Sequence, residues 1–152
     1  MANSKEEILE ELIEYLFLTY LDFSIDRIKS RENLLPRLRV DMILDIPDWL
    51  LELIPTLILP PVFFFSHCLT HRTLFHFKIH QDTLTQSQFY QYLAELLIFG
   101  SKEQEKSPSQ RASLLIFTTY FPSFLKEERF FPLKPCEETP WMYEIQNLPY
   151  SA

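Results

Sequence analysis

Glycine is almost missing from this chain. One residue of 152, Gly100, is a glycine. Phosphate-cradling loops need several glycines so that backbone N–H groups can approach the ligand. A P-loop and a dinucleotide fingerprint are therefore excluded. Cysteine is nearly as scarce. Cys68 and Cys136 are far apart and form no C-x-x-C pattern, which predicts free thiols in place of a disulfide framework. Basic charge is in deficit, with 14 Lys and Arg against 21 Asp and Glu and a net charge of −7. Non-specific binding to a phosphate backbone needs Lys and Arg to neutralise phosphates, so this balance works against it. The nearest thing to a basic patch is Arg27, Lys29, Arg31, Arg37 and Arg39, diluted by Asp26 and Glu32, and it reads as a solvated face.

A long uninterrupted apolar run is also lacking. The most apolar stretch, Trp49–Phe65, contains Glu52 and three prolines, Pro55, Pro60 and Pro61. It falls short of the roughly 20 residues that a spanning helix requires, and it reads as a buried core segment. The opening residues, MANSKEEILEEL, are acidic and polar and do not read as a signal peptide. No membrane association and a cytoplasmic location are the expectations.

What is present is apolar and aromatic. Hydrophobic residues make up 47% and aromatic residues 15%, enough for a buried core in one domain. The expected domain spans residues 1–152, with a core over about 5–146 and a Pro- and aromatic-rich segment, 121–152, packed on it. An exposed remnant of those rings would mark a protein partner or a homodimer interface.

Local patterns place the elements. Ser4-x-x-Glu7 is a capping-box pattern that opens a helix to about Leu21. Ile8, Leu12, Tyr15, Leu16 and Thr19 fall on one face of it, with Glu6, Glu10 and Glu14 near the other. Leu38, Val40, Met42 and Leu44 alternate with Arg37, Arg39, Asp41 and Ile43, which predicts a strand over Arg37–Asp45. Asp48–Ile54 reads as a short helix. Val62–Ser66 reads as a strand after the Pro60-Pro61 bend. Thr73–His80 is a further strand, with Leu74, His76, Lys78 and His80 on one face. Thr85 caps a second long helix, with Gln88 completing a weaker capping box, and Gly100 is the expected C-cap. Ser101–Arg111 reads as a loop. Ala112–Tyr120 reads as a strand buried on both faces. Phe124–Arg129 suggests a short helix, Phe130–Pro140 is irregular, and Met142–Gln146 is a late strand. The order is α/β, with a mixed central sheet flanked by helices.

Three of these pieces carry a resemblance. Leu35–Leu44 (LPRLRVDMIL) is an apolar strand with Asp41 inside it. Leu74–Lys78 (LFHFK) is an apolar strand ending in Lys78. Asp82–Leu97 (DTLTQSQFYQYLAELL) is a helix that opens after a Leu-Thr turn. Together they resemble the PD-(D/E)XK nuclease superfamily, and within it the bacterial recombination-promoting nuclease and transposase-like proteins. The resemblance spans roughly residues 5–146, and Ala112–Thr119 fits the family's fourth core strand. It implies a restriction-endonuclease-like core, with Asp41 as a metal-binding aspartate and Lys78 as the lysine that positions or activates water.

One position departs from that pattern. The family carries Glu or Asp two residues before the lysine, and here that residue is His76. Magnesium wants oxygen ligands in octahedral geometry, whereas imidazole favours Zn, Fe, Ni or Cu. Without a metal to lower the pKa of water, Lys78 alone generates no nucleophile. The favoured reading is a degenerate, inactive relic that needs no cofactor and acts as a binding or regulatory module. The alternative is an active Mg²⁺-dependent DNA endonuclease with a relocated carboxylate. In it Asp41 and Glu95 hold the metal and Gln91 lies on the same helix face as Glu95. Glu95 as a plain solvent-facing helix residue is the simpler reading. A third reading is an unrelated small α/β interaction domain.

The remaining chemistry is thin. His67, His71, His76 and His80 cluster around Cys68, but their spacing matches no standard zinc pattern. They read as surface and edge histidines. Nothing beyond those histidines supports a nucleophilic role for Cys68 or Cys136.

Overall fold

The computed structural model describes residues 5–24, 40–79, 83–107, 109–126, 133–136 and 142–145. Its centre is a three-stranded mixed sheet in the order β1–β2–β3, formed by Met42–Asp45, Arg72–Lys78 and Ala112–Thr118. β1 runs antiparallel to β2, with Met42 opposite Phe75 and Asp45 opposite Arg72. β3 runs parallel to β2, from Arg72 opposite Ala112 to Lys78 opposite Thr118. A parallel pair needs a crossover. The crossover is a helix, Gln86–Lys106, designated α3 after Lys5–Leu21 (α1) and Asp48–Leu53 (α2).

Strand alternation divides the core into two layers. Met42, Leu44, Phe75, Phe77 and Leu115 face Ile13, Leu16 and Phe17 of α1, Leu50 of α2, and Phe63 and Phe65. Ile43, Leu74, Ala112 and Leu114 face Phe89, Leu93, Leu96 and Phe99 of α3. Phe17, Phe75 and Phe77 are fully buried, each worth about 1.5–3 kcal/mol relative to exposure. The expected mixed α/β arrangement, with helices on both faces of a sheet, is what the chain adopts.

Several expectations are corrected. Val62–Ser66 is no strand. Pro61–Cys68 forms a 3-10 helix with Pro61 at its start, where a missing N–H costs nothing. Phe63 departs from helical geometry, which splits the run into two turns and brings the Phe63 and Phe65 rings to 5.1 Å of each other in the core. Gly100 is no C-cap. It is buried inside α3, which continues through Ser101–Lys106 and ends at Ser107. The Ser-Lys-Glu-Gln-Glu-Lys run that read as a loop holds good helix formers and propagates the helix.

The face of α1 is offset from the expected one. Leu16 is buried, as the pattern suggested, but Ile8, Leu12, Tyr15 and Thr19 are exposed, and the buried stripe is Ile13, Leu16, Phe17 and Leu21. α1 is apolar over more than one stripe, and packing of Phe17 against Phe63 at 5.3 Å selects between them.

Other boundaries shift slightly. The first expected strand is ordered as β1 from Met42, with Asp41 in a bend before it, and 37–39 lie outside the described residues. The Ser4 cap and His80 also lie outside them. Ser123–Lys126 is a 3-10 turn. Near the C-terminus Leu133–Pro135 (β4) pairs antiparallel with Tyr143–Ile145 (β5) in a separate two-stranded sheet. The 130–140 segment is thus not wholly irregular. Met142 packs against the α1-side core. Among the described residues no helix is long and apolar enough to cross a membrane.

Candidate functional site

The β1–β2 register sets the first contact. Met42 pairs with Phe75, so one step further Asp41 stands beside His76 and Phe77. β1 has no further residue to accept the Phe77 N–H. The Asp41 carboxylate takes that place, with Oδ2 accepting at 2.8 Å. The same oxygen lies 3.7 Å from His76 Nδ1, close enough for charge attraction and too far for a hydrogen bond.

α3 supplies the second acid. Thr85 opens the helix with both halves of a capping box, its hydroxyl accepting from Gln88 N–H and the Gln88 side chain accepting from Thr85 N–H. That fixes the helix phase. Phe89, Tyr92, Leu93, Leu96 and Phe99 then turn inward, and Glu95 lies within the same arc. Glu95 is 1% exposed, so the reading that places it in solvent is wrong. His76 Nε2 donates to Glu95 Oε2 at 2.7 Å. Tyr92, one turn before Glu95, stacks on the imidazole with ring centroids 3.5 Å apart and planes 11° from parallel. Glu95 Oε1 is buried and has no hydrogen-bond partner among the described residues.

The imidazole is thus bracketed by acids along its two nitrogens and covered by a ring. Burial by itself pushes the His76 pKa down. The nearby Asp41 carboxylate and the hydrogen-bonded Glu95 outweigh that, and the net direction is up from the ordinary 6.5. Burial pushes the Glu95 carboxyl up. His76 pulls it back and Asp41 adds to the rise, leaving it above its ordinary 4.5.

Asp41, His76 and Glu95 are therefore brought together from three elements. Lys78 lies two residues beyond His76 on the same face of β2, half-buried, in register with Thr118. Gln91, one turn before Glu95, is exposed. Tyr92 carries no motif of its own in the sequence. Its i, i+3 spacing to Glu95 was the available signal for a shared face.

Magnesium does not fit this arrangement. Two oxygens on one magnesium lie within about 4 Å of each other, given bonds of about 2.0–2.1 Å. Here the imidazole ring itself fills the space between the two carboxylates. Magnesium also keeps several waters, yet His76 and Glu95 are each 1% exposed. Among the described residues no group of three or more His, Cys, Asp or Glu side chains could hold a metal ion.

The other histidines do different work. His71 Nε2 pairs with Asp48, and its Nδ1 accepts from the Arg111 backbone N–H at 3.1 Å. An accepting Nδ1 leaves Nε2 as the donor to Asp48. His71 lines a cavity of about 210 Å³ with Leu51, Ile54, Leu69, Thr70 and Arg111. The cavity sits where β2 and β3 begin, and Asp41, His76, Lys78 and Glu95 do not line it. His67 is exposed. Cys68 and Cys136 are free thiols. Burial first, then the charges of Cys136 and Glu144, push the Cys68 thiol up to about 12, which keeps it protonated and inert.

Compared with family models, with curated proteins and with solved structures, the chain matches none of them.

Proposed function

We propose that this chain is a degenerate PD-(D/E)XK nuclease-like protein that acts by binding, as an interaction or regulatory module, and does not cleave nucleic acid. One observation carries the proposal: the His76 imidazole lies between Asp41 and Glu95, where the family's reading needs a metal ion. The order of parts supports the family side of it. A strand led by an acid runs antiparallel to the strand that ends in Lys78, and a helix and a parallel strand follow. The net charge of −7 supports a protein partner, or a second copy of this chain, over a nucleic acid.

The test is direct. Purified protein incubated with supercoiled plasmid and Mg²⁺ or Mn²⁺ is expected to leave the plasmid intact. Cleavage that disappears in both Asp41→Ala and Lys78→Ala overturns the proposal.

One observation favours the active alternative. Glu95 is buried on the sheet side of α3, close to the imidazole that Asp41 also faces, as a relocated carboxylate would have to be. That reading requires His76 to leave the space between the acids, and the plasmid assay separates the two.

A further inference from the structure

The space between the two acids is filled by the His76 ring, and that has a consequence for metal binding. Asp41 and Glu95 come from β1's leading bend and from α3. The group that faces both is the His76 ring. Its Nε2 meets Glu95 Oε2 at 2.7 Å and its Nδ1 faces Asp41 Oδ2 at 3.7 Å. The ring is not free to swing. Tyr92 lies flat against it at 3.5 Å, and its backbone is held in β2 opposite Ile116 of β3. The Asp41 carboxylate is tied down as well, by the Phe77 N–H.

We infer that the His76 imidazole permanently occupies the cation position between Asp41 and Glu95, closing this site to divalent metal ions, and that a carboxylate at position 76 would open it. The inference deepens the reading proposed above and rests on it for the identity of the site. The second half follows from what removal of the ring exposes. Glu95 keeps one buried oxygen, Oε1, with no hydrogen-bond partner among the described residues. His76→Glu replaces the ring with a third carboxylate beside it. Three buried or half-buried carboxylates repel one another unless a cation joins them. An oxygen-only set of that kind suits Mg²⁺ or Mn²⁺, as the present acid–imidazole–acid set does not.

Thermal unfolding and calorimetric titration with MnCl₂ test both halves. The wild-type protein is expected to give no binding heat, and its Tm to stay unmoved at about 10 mM Mn²⁺. His76→Glu is expected to melt lower than wild type without metal and to recover stability as Mn²⁺ rises, following the linkage between ligand and folded state. If His76→Glu is unfolded without metal, a gain of helical circular dichroism on adding Mn²⁺ counts for the inference. No gain at about 10 mM counts against it. Wild-type Mn²⁺ binding that Asp41→Asn abolishes overturns the first half. A folded His76→Glu whose Tm ignores Mn²⁺ overturns the second. Metal binding by the wild type without plasmid cleavage sinks this inference alone, whereas cleavage sinks the inactive reading itself.

Discussion

His76 Nε2 lies 2.7 Å from Glu95 Oε2, with both side chains withdrawn from solvent. Removing one member of a buried pair leaves the other charge unpaired, at a cost of about 3–5 kcal/mol, whereas replacing both with apolar residues of similar volume is often neutral. His76→Leu and Glu95→Leu are each expected to destabilise by about that amount. The double variant is expected to lose much less than the two together. Urea unfolding of all four proteins checks it, and additive losses would show that the pair is not coupled.

The same pair gives the pH dependence a sign. His76 is raised above 6.5 and Glu95 above 4.5, so the folded state holds more protons than the unfolded state at both sites. Stability from these groups is therefore greatest in acid. It begins to fall as pH passes 4.5, and the His76 share, complete below 6.5, is lost as pH rises through its folded value. The stability gap between wild type and the His76→Leu, Glu95→Leu double variant should shift against the wild type from about pH 5 to about pH 9. A gap that stays flat across that range would refute the linkage.

Cys68 should be chemically silent in the native state. Its thiol is pushed up to about 12, chiefly by burial, and thiolate is the reactive form. Iodoacetamide at about pH 8 is expected to leave Cys68 unlabelled in native protein and to label it in urea. Rapid native labelling at Cys68, located by peptide mass spectrometry, would contradict the burial argument.

Thr85 offers a test of the element that places Glu95. Its hydroxyl accepts from Gln88 N–H at 3.2 Å. Thr85→Ala is expected to cost about 1 kcal/mol, and Thr85→Ser to cost little. Equal losses in the two variants would mean that the hydroxyl is not the cap.

The parts legible in the sequence were the local ones. The capping box at Thr85, the alternation around His76 and the short helix after Pro47 depend on neighbours a few residues away. Parts set by distant contacts were not legible. Asp41 and His76 meet through a strand register that no spacing between them reveals, and the burial of Glu95 depends on which arc of α3 meets the sheet. Val62–Ser66 has the aromatic and β-branched composition of a strand, but Pro61 starts a 3-10 turn there. Gly100 has the residue type of a helix stop, yet the residues after it favour helix and the chain obeys them. On α1 more than one apolar stripe was available, and the packing of Phe17 decided which one turned inward.

The ion contacts of α3 act together as a vernier. Arg72 on β2 reaches Glu103 with Nε 3.5 Å from Oε1, and its guanidinium sits over the Phe99 ring. His76, four residues along the strand, reaches Glu95, eight residues back along the helix. Four strand residues span about 13 Å and eight helical residues about 12 Å, so the two scales coincide at both marks. Sliding α3 by one turn would miss both contacts at once and leave the buried Glu95 without its imidazole, while Glu103 would keep only Lys106 of its own helix. A greasy interface alone tolerates such slippage. Here the helix is indexed against the strand, and the spacing between Asp41, His76 and Glu95 is held by that index as firmly as by the contacts among them.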